Sequence, residues 1–129
     1  MSELTLQRIP FTVDVDNRLR QLKARTGITP NILCRMGFCM SLEEPGIPMM
    51  ISEEEEIGRE INRYTLLGKY DTLFVALVKT WMQKSNISQT KIDEFFVAHM
   101  NQGADLIASR AKGIADIPPD NKNNLYMID

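Results

Sequence analysis

Only a few residues in this chain combine a reactive type with a position that invites a chemical reading. They are Cys34 and Cys39, the lone histidine His99, the run Glu53–Glu56, and Tyr64 and Tyr70. Two thiols near each other invite a metal or redox reading. On a helix, however, five residues turn through about 500°, so Cys34 and Cys39 point about 140° apart. They do not share a metal within one helix, and the chain has no further cysteine to complete a tetrahedral set. Free cysteine otherwise behaves as a small buried hydrophobe, and a core role is expected for both. His99 lies near Phe95 and Phe96, so a satisfied, half-buried histidine is expected in preference to a catalyst. The four glutamates can in principle recruit Mg²⁺. Consecutive residues spread around a helix, though, and Ser52 with Glu55 reads as a capping box that already explains them. No catalytic residue, metal site or cofactor is therefore expected, and a non-enzymatic role is favoured.

Basic residues are a different matter. The 129 residues carry a net charge of −2, so bulk charge gives no reason to expect nucleic acid. The distribution does. Residues 1–42 sum to +3, residues 43–60 to −6, and residues 61–129 to +1. A basic N-terminal segment thus precedes an acidic belt. Arg18, Arg20, Lys23 and Arg25 crowd one short stretch, with Arg8 upstream. Exposed Lys and Arg bind phosphates without needing a fixed spacing. For each residue alone, a solvated surface charge is the plainer reading.

These residues need elements to hold them. The stretch LTLQRIPFTV alternates apolar and polar residues and predicts a short strand or arm. Pro10 confines it to an edge or a two-stranded ribbon. A basic helix follows, capped by Asp14 or Asp16 and closed by Gly27. Thr29 and Pro30 open a second helix that is apolar nearly all round and ends at the Glu44-Pro45-Gly46 break. A third helix is expected from Ser52 to Gly68, a fourth over 71–84, and a fifth from Ser88, kinked or divided at Gly103. The fold class is mainly α, a short N-terminal strand or arm followed by about five helices. One domain over 1–129 is expected: a basic arm and helix pair (1–48), a helical remainder (49–115) and a polar tail (116–129). Strand, basic helix, turn and apolar helix together make the N-terminal part ribbon-helix-helix-like; in that architecture two protomers pair strands and pack second helices. An ordinary helical hairpin with an ordered arm is the alternative. No segment is long and apolar enough to span a membrane. The opening MSELTLQRIP lacks a secretory pattern, and a cytoplasmic location is expected.

The segment LKARTGITPNILCRMGFCMSLEEPGIP resembles the conserved core of the DndE family, the small E component of the bacterial DNA phosphorothioation system. The likeness spans residues 8 to about 48. It comprises the arm ending near Val13, Leu22-Lys23 leading into Arg25-Thr26-Gly27, the Thr29-Pro30-Asn31 turn, and the Arg35 helix running into Ser41-Leu42-Glu43-Glu44-Pro45. The remaining two thirds match only as a helical remainder of suitable length. The resemblance implies a DNA-binding subunit of the machinery that replaces a non-bridging phosphate oxygen with sulfur. It implies homotetramers, and binding of duplex DNA, nicked DNA above all, through Arg8, Arg18, Arg20, Lys23 and Arg25. It also implies partner proteins, among them an iron–sulfur reductase-like protein and an ATPase. Two rival readings stay open. One is a nickase in the same pathway, drawing on His99, Tyr64, Tyr70 or the glutamates. The other is a ribbon-helix-helix repressor reading bases with Thr5, Gln7 and Arg8 or Thr12. Met49 and Met50 are the best candidates for an exposed partner contact.

Overall fold

The computed structural model describes residues 3–115; the tail expected at 116–129 lies outside them. A strand, β1 (Arg8–Thr12), leads directly into α1 (Val13–Thr26), and α2 (Pro30–Glu43) follows a three-residue connection. Then come β2 (Ile57–Asn62), the short α3 (Arg63–Leu67), α4 (Asp71–Lys84) and the long α5 (Ile92–Ala115). The chain is thus mainly helical with a small two-stranded sheet.

Local chemistry explains most of these boundaries. Thr12 caps α1, its hydroxyl accepting from Val15 N, and Gly27 closes the helix at φ +74°. Val15, Leu19 and Leu22 form the buried stripe of α1 at a spacing of four and three. Thr29 and Pro30 start α2 as expected, and Leu33, Cys34, Gly37, Phe38 and Ser41 face inward. The core is built around Phe38, whose ring lies 5.3 Å from Phe74 and 5.1 Å from Phe96. α5 is the central element and packs on α2, α1, β1 and α4.

Two features differ from the sequence expectation. The helix expected from Ser52 is instead a turn followed by β2. Glu55 N donates to Ser52 O, and Glu54 N to the Ser52 hydroxyl, so Ser52 closes one turn and caps no helix. β2 pairs antiparallel with β1: Arg8 faces Asn62, Ile9 faces Ile61, Pro10 faces Glu60 and Phe11 faces Arg59. Thr12 then pairs with Ile57, which leaves Gly58 as a bulge. A Cβ on Gly58 would sit 3.0 Å from Val13 Cα and 3.1 Å from Asp16 Cβ, so glycine lets the ribbon close onto α1. The ribbon's second strand is therefore supplied by the same chain, not by another protomer. The pairing of Ile9 and Phe11, both fully buried, outweighs the local helical leanings of residues 52–67.

The second difference concerns Gly103, which does not divide α5: the helix runs unbroken over Ile92–Ala115. Gly103 marks the point where α5 crosses α2. A Cβ on Gly37 would lie 2.2 Å from Gly103 O, and one on Gly103 would lie 2.3 Å from Gly37 C. The two backbones touch.

Candidate nucleic-acid interface

The five expected DNA contacts are exposed, but the fold sorts them into different settings. On α1, Arg18 and Arg25 are seven residues apart and differ by only about 20° around the axis. Arg20 and Lys23 lie about 60° from each other, on the opposite flank of the buried stripe. The first pair borders a groove of about 290 Å³ with Gln21, Leu22, Ala108 and Ser109. The second pair faces the side that carries Asp16 and β2. Arg8 stands at the far end of β1, about 13 Å of extended chain before α1 begins, and is not brought into either pair.

Charge pairing sorts them further. Arg18 Nη1 donates to Asp105 Oδ1 at 2.6 Å, so its charge is compensated across the α1–α5 packing. Arg20 Nε donates to Asp16 Oδ2 at 3.2 Å. Asp16, at 5 % exposure, is also approached by Arg59, whose Nε lies 2.9 Å from Oδ1. That approach lies off the hydrogen-bonding axis, leaving Arg59 Nε and Nη2 without a directed partner. Two guanidiniums thus share one carboxylate. Lys23 and Arg25, in the last turn of α1, have no carboxylate within ion-pair distance among the described residues. They are the most available cations of the set, and the negative end of the helix dipole helps to hold them there.

The acidic belt is at the other end of α1. Val13 N donates to Glu56 O at 3.1 Å, and Glu55 and Glu56 border a hollow with Thr12, Val13 and Asp14. With a rise of about 1.5 Å per residue, Lys23 and Arg25 lie roughly 15 Å along the axis from Asp14. α1 therefore runs from a negative end to a positive end.

The residues considered for catalysis have other surroundings. Cys34 is buried, and burial pushes its thiol up to about 12 against a smaller opposing effect of Arg59. Cys39 is exposed, contrary to the expectation of a core role for both; burial of part of its surface and then Glu43 raise its thiol as well. Cys39 shares the outer side of α2 with the exposed Ile32 and Met36. His99 is fully enclosed at 1 % exposure, beyond the half-burial expected. Its Nδ1 lies 2.7 Å from Ser41 Oγ, and the Gln102 amide donates to that same Oγ at 2.9 Å. With Gln102 as donor, the Ser41 hydroxyl directs its proton to Nδ1, which places the ring proton on Nε2. Nε2 meets no oxygen or nitrogen partner; the ring stands edge-on to Trp81 at 4.2 Å. Burial pushes the His99 pKa down to about 4. This serine–histidine pair is sealed beneath Phe38 and Trp81, with no surface at which a substrate could meet it. Tyr64 and Tyr70 are exposed, and each lies under a cation: Arg63 Cζ is 5.6 Å from the Tyr64 ring centre, and Arg35 Cζ is 5.6 Å from that of Tyr70. Among the described residues no group of three or more His, Cys, Asp and Glu side chains is arranged to hold a metal. Met49 and Ile47 project strongly from the loop after α2.

Three residues matter here that sequence reasoning did not single out. Arg59 reads as a lone base in an acidic stretch, and only the strand pairing turns it toward Asp16. Asn101 fixes β1 to α5: its Oδ1 accepts from Thr12 N at 3.1 Å and its Nδ2 donates to Pro10 O at 3.0 Å. Lys69 stands 5.3 Å from the Tyr70 ring centre, on a turn that the sequence marks only through the neighbouring Gly68.

Residues 8–114 match the family model described as DndE, DNA sulphur modification protein DndE. The chain is similar to the crystal structure of DndE from Escherichia coli B7A, described as involved in DNA phosphorothioation modification. The TM-score is 0.60 and the identity 25%, over 81% of this chain and 97% of that one. A glycine-to-lysine mutant of DndE involved in DNA phosphorothioation is similar at a TM-score of 0.57 and 21% identity, over 81% and 98% of the two chains, and supports the fold alone. Comparison with curated proteins gives no significant match. No helix among the described residues is long and apolar enough to cross a membrane.

Proposed function

This chain belongs to the DndE family of DNA sulphur modification proteins, and from that premise we propose that it is a DNA-binding subunit of the phosphorothioation machinery. It holds duplex DNA, nicked DNA included, against the basic end of α1 while partner proteins carry out the sulfur chemistry. The observation that carries this reading is the pair Lys23 and Arg25, exposed and without carboxylate partners among the described residues, at the end of α1 remote from Glu55 and Glu56. Arg20 adds the charge left over after Asp16 is shared. Arg18 adds less, since Asp105 compensates it. Arg8 is a separate contact at the end of the ribbon.

A handful of cations on one protomer gives weak binding. A homo-oligomer, a tetramer by family resemblance, repeats the patch and raises the effective concentration of each contact. The exposed stripe Ile32, Met36 and Cys39 on α2 supports self-association. The protein's contribution is positional: phosphate contacts fix the register of DNA without reading its sequence.

The test compares Lys23→Gln/Arg25→Gln with Arg18→Gln, in gel shifts on intact and nicked duplexes at several salt concentrations. Each lost phosphate contact lowers the salt slope by about 0.9. The double variant should therefore lose about two units of slope per bound protomer, and Arg18→Gln clearly less. Unchanged retention by the double variant would refute the α1 interface. A parallel arm incubates supercoiled plasmid with Mg²⁺; nicking by the purified protein would replace the binding reading with a catalytic one.

A further inference from the structure

We propose that Arg35, Lys69 and Tyr70 form a second phosphodiester-binding subsite, separate from α1 and extending the DNA footprint across the α1–α2 turn. The proposal rests on the DNA-binding reading above.

Arg35 lies on α2, and its Nε donates to Leu66 O at 2.7 Å. That bond fixes the guanidinium over the end of α3 and leaves both Nη groups without a hydrogen-bond acceptor among the described residues. Gly68 makes room for it. A Cβ at that position would lie 2.9 Å from Arg35 Nη2 and displace the guanidinium, and the backbone there has φ +55°, which strains any residue but glycine. The Tyr70 ring gathers two cations, lying 5.6 Å from Arg35 Cζ and 5.3 Å from Lys69 Nζ. Neither cation has a carboxylate within ion-pair distance among the described residues. The nearest acid in sequence, Asp71, is occupied: Arg63 donates to its two oxygens at 2.7 Å each.

Two like charges gathered at one ring repel each other, and the ring quadrupole offsets only part of that cost. An anion contacted by both removes it. The fork of Arg35 suits a phosphate oxygen pair, and Lys69 supplies a mobile point charge beside it. Position favours a nucleic-acid phosphate as the anion. Along the chain Arg35 follows Lys23 and Arg25 after only Gly27–Thr29 and the first turn of α2, and the proposed footprint runs along both.

The test measures duplex binding against salt concentration for the full-length protein, for Lys69→Gln and Tyr70→Ala, and for Lys84→Gln as a remote charge control. Lys69→Gln should flatten the salt slope by about 0.9 per bound protomer, with several-fold weaker binding at moderate salt. Tyr70→Ala should weaken binding without changing formal charge, while Tyr70→Phe should bind like the parent. Thermal melts of each variant confirm that they are folded. If Lys69→Gln and Tyr70→Ala bind as the parent does, or if Lys84→Gln falls as far as Lys69→Gln, the subsite is refuted while the α1 interface stands. If the parent protein binds no DNA at all, the DNA-binding reading and the subsite fall together.

Discussion

A histidine locked in a hydrophobic interior acts as a proton-sensitive weakness whether or not it does chemistry. His99 is neutral in the fold because burial disfavours its charge, and its hydrogen bond with Ser41 uses the neutral Nδ1 as acceptor. In the unfolded chain it titrates near 6.5. The unfolded state therefore binds more protons between pH 6.5 and about 4, so stability present above pH 6.5 falls as the pH drops through that window. Urea unfolding from pH 7 to 4 should show a loss of roughly 2–3 kcal/mol attributable to this residue. His99→Gln, lower in stability at neutral pH, should flatten that part of the profile. A profile as steep as the parent's would assign the pH dependence to other groups. The presence of a histidine among aromatic residues was legible in the sequence. Its hydrogen-bond partner was not, because Ser41 sits 58 positions away on α2 and nothing in the local pattern points to it.

Among the elements, the crossing of α2 and α5 is the most demanding. Alanine favours a helix over glycine by about 1 kcal/mol, so local propensity alone would have Gly37→Ala stabilise the protein. The 2.2 Å approach to Gly103 O reverses that sign. We expect a net loss of at least about 2 kcal/mol through overpacking, measured as a lower urea midpoint. An unchanged or raised midpoint would show that the helices separate easily. Most helix boundaries were readable in the sequence: Gly27 ends α1, Thr29 with Pro30 starts α2, and α4 spans Asp71–Lys84 as expected. β2 was not readable. Ile57 and Ile61 are four apart, which suits a helix, and the glutamate run imitates a helical first turn. The deciding interaction is pairing with a strand about fifty residues earlier, which no window along the chain contains. The cations of the candidate interface were legible as residue types. Their availability was not, since the compensation of Arg18 depends on Asp105 of α5.

Over the whole molecule, charge is arranged in one direction. The loop carrying Glu53–Glu56 abuts the start of α1, while the available cations lie at its end and beyond the turn. The separation of about 15 Å exceeds the Debye length of about 8 Å at physiological salt. On the proposed DNA-binding reading, the acidic end therefore steers more than it weakens: it leaves contact strength nearly intact but discourages DNA from approaching by that side. Replacing Glu53, Glu54, Glu55 and Glu56 by Gln should raise duplex affinity about two- to fivefold at low salt, where screening is weak. The gain should vanish at high salt. Equal affinities at low salt would show that the acidic loop takes no part in orienting DNA.

The Asn101 contact to β1 also has a consequence in time. β1 leaves the ribosome long before the groups that satisfy it. The Thr12 N–H waits for Asn101, 89 residues later, a delay of about 4–18 s at roughly 5–20 residues per second. Until β2 follows, about fifty residues after β1, a nascent strand bearing Ile9 and Phe11 is unpaired, a condition that invites association between neighbouring chains on a polysome. Pro10 and Arg8 reduce that hazard, because a proline removes one ladder donor and an arginine repels its copies. The proline that confines β1 to an edge thus also guards the chain during its synthesis.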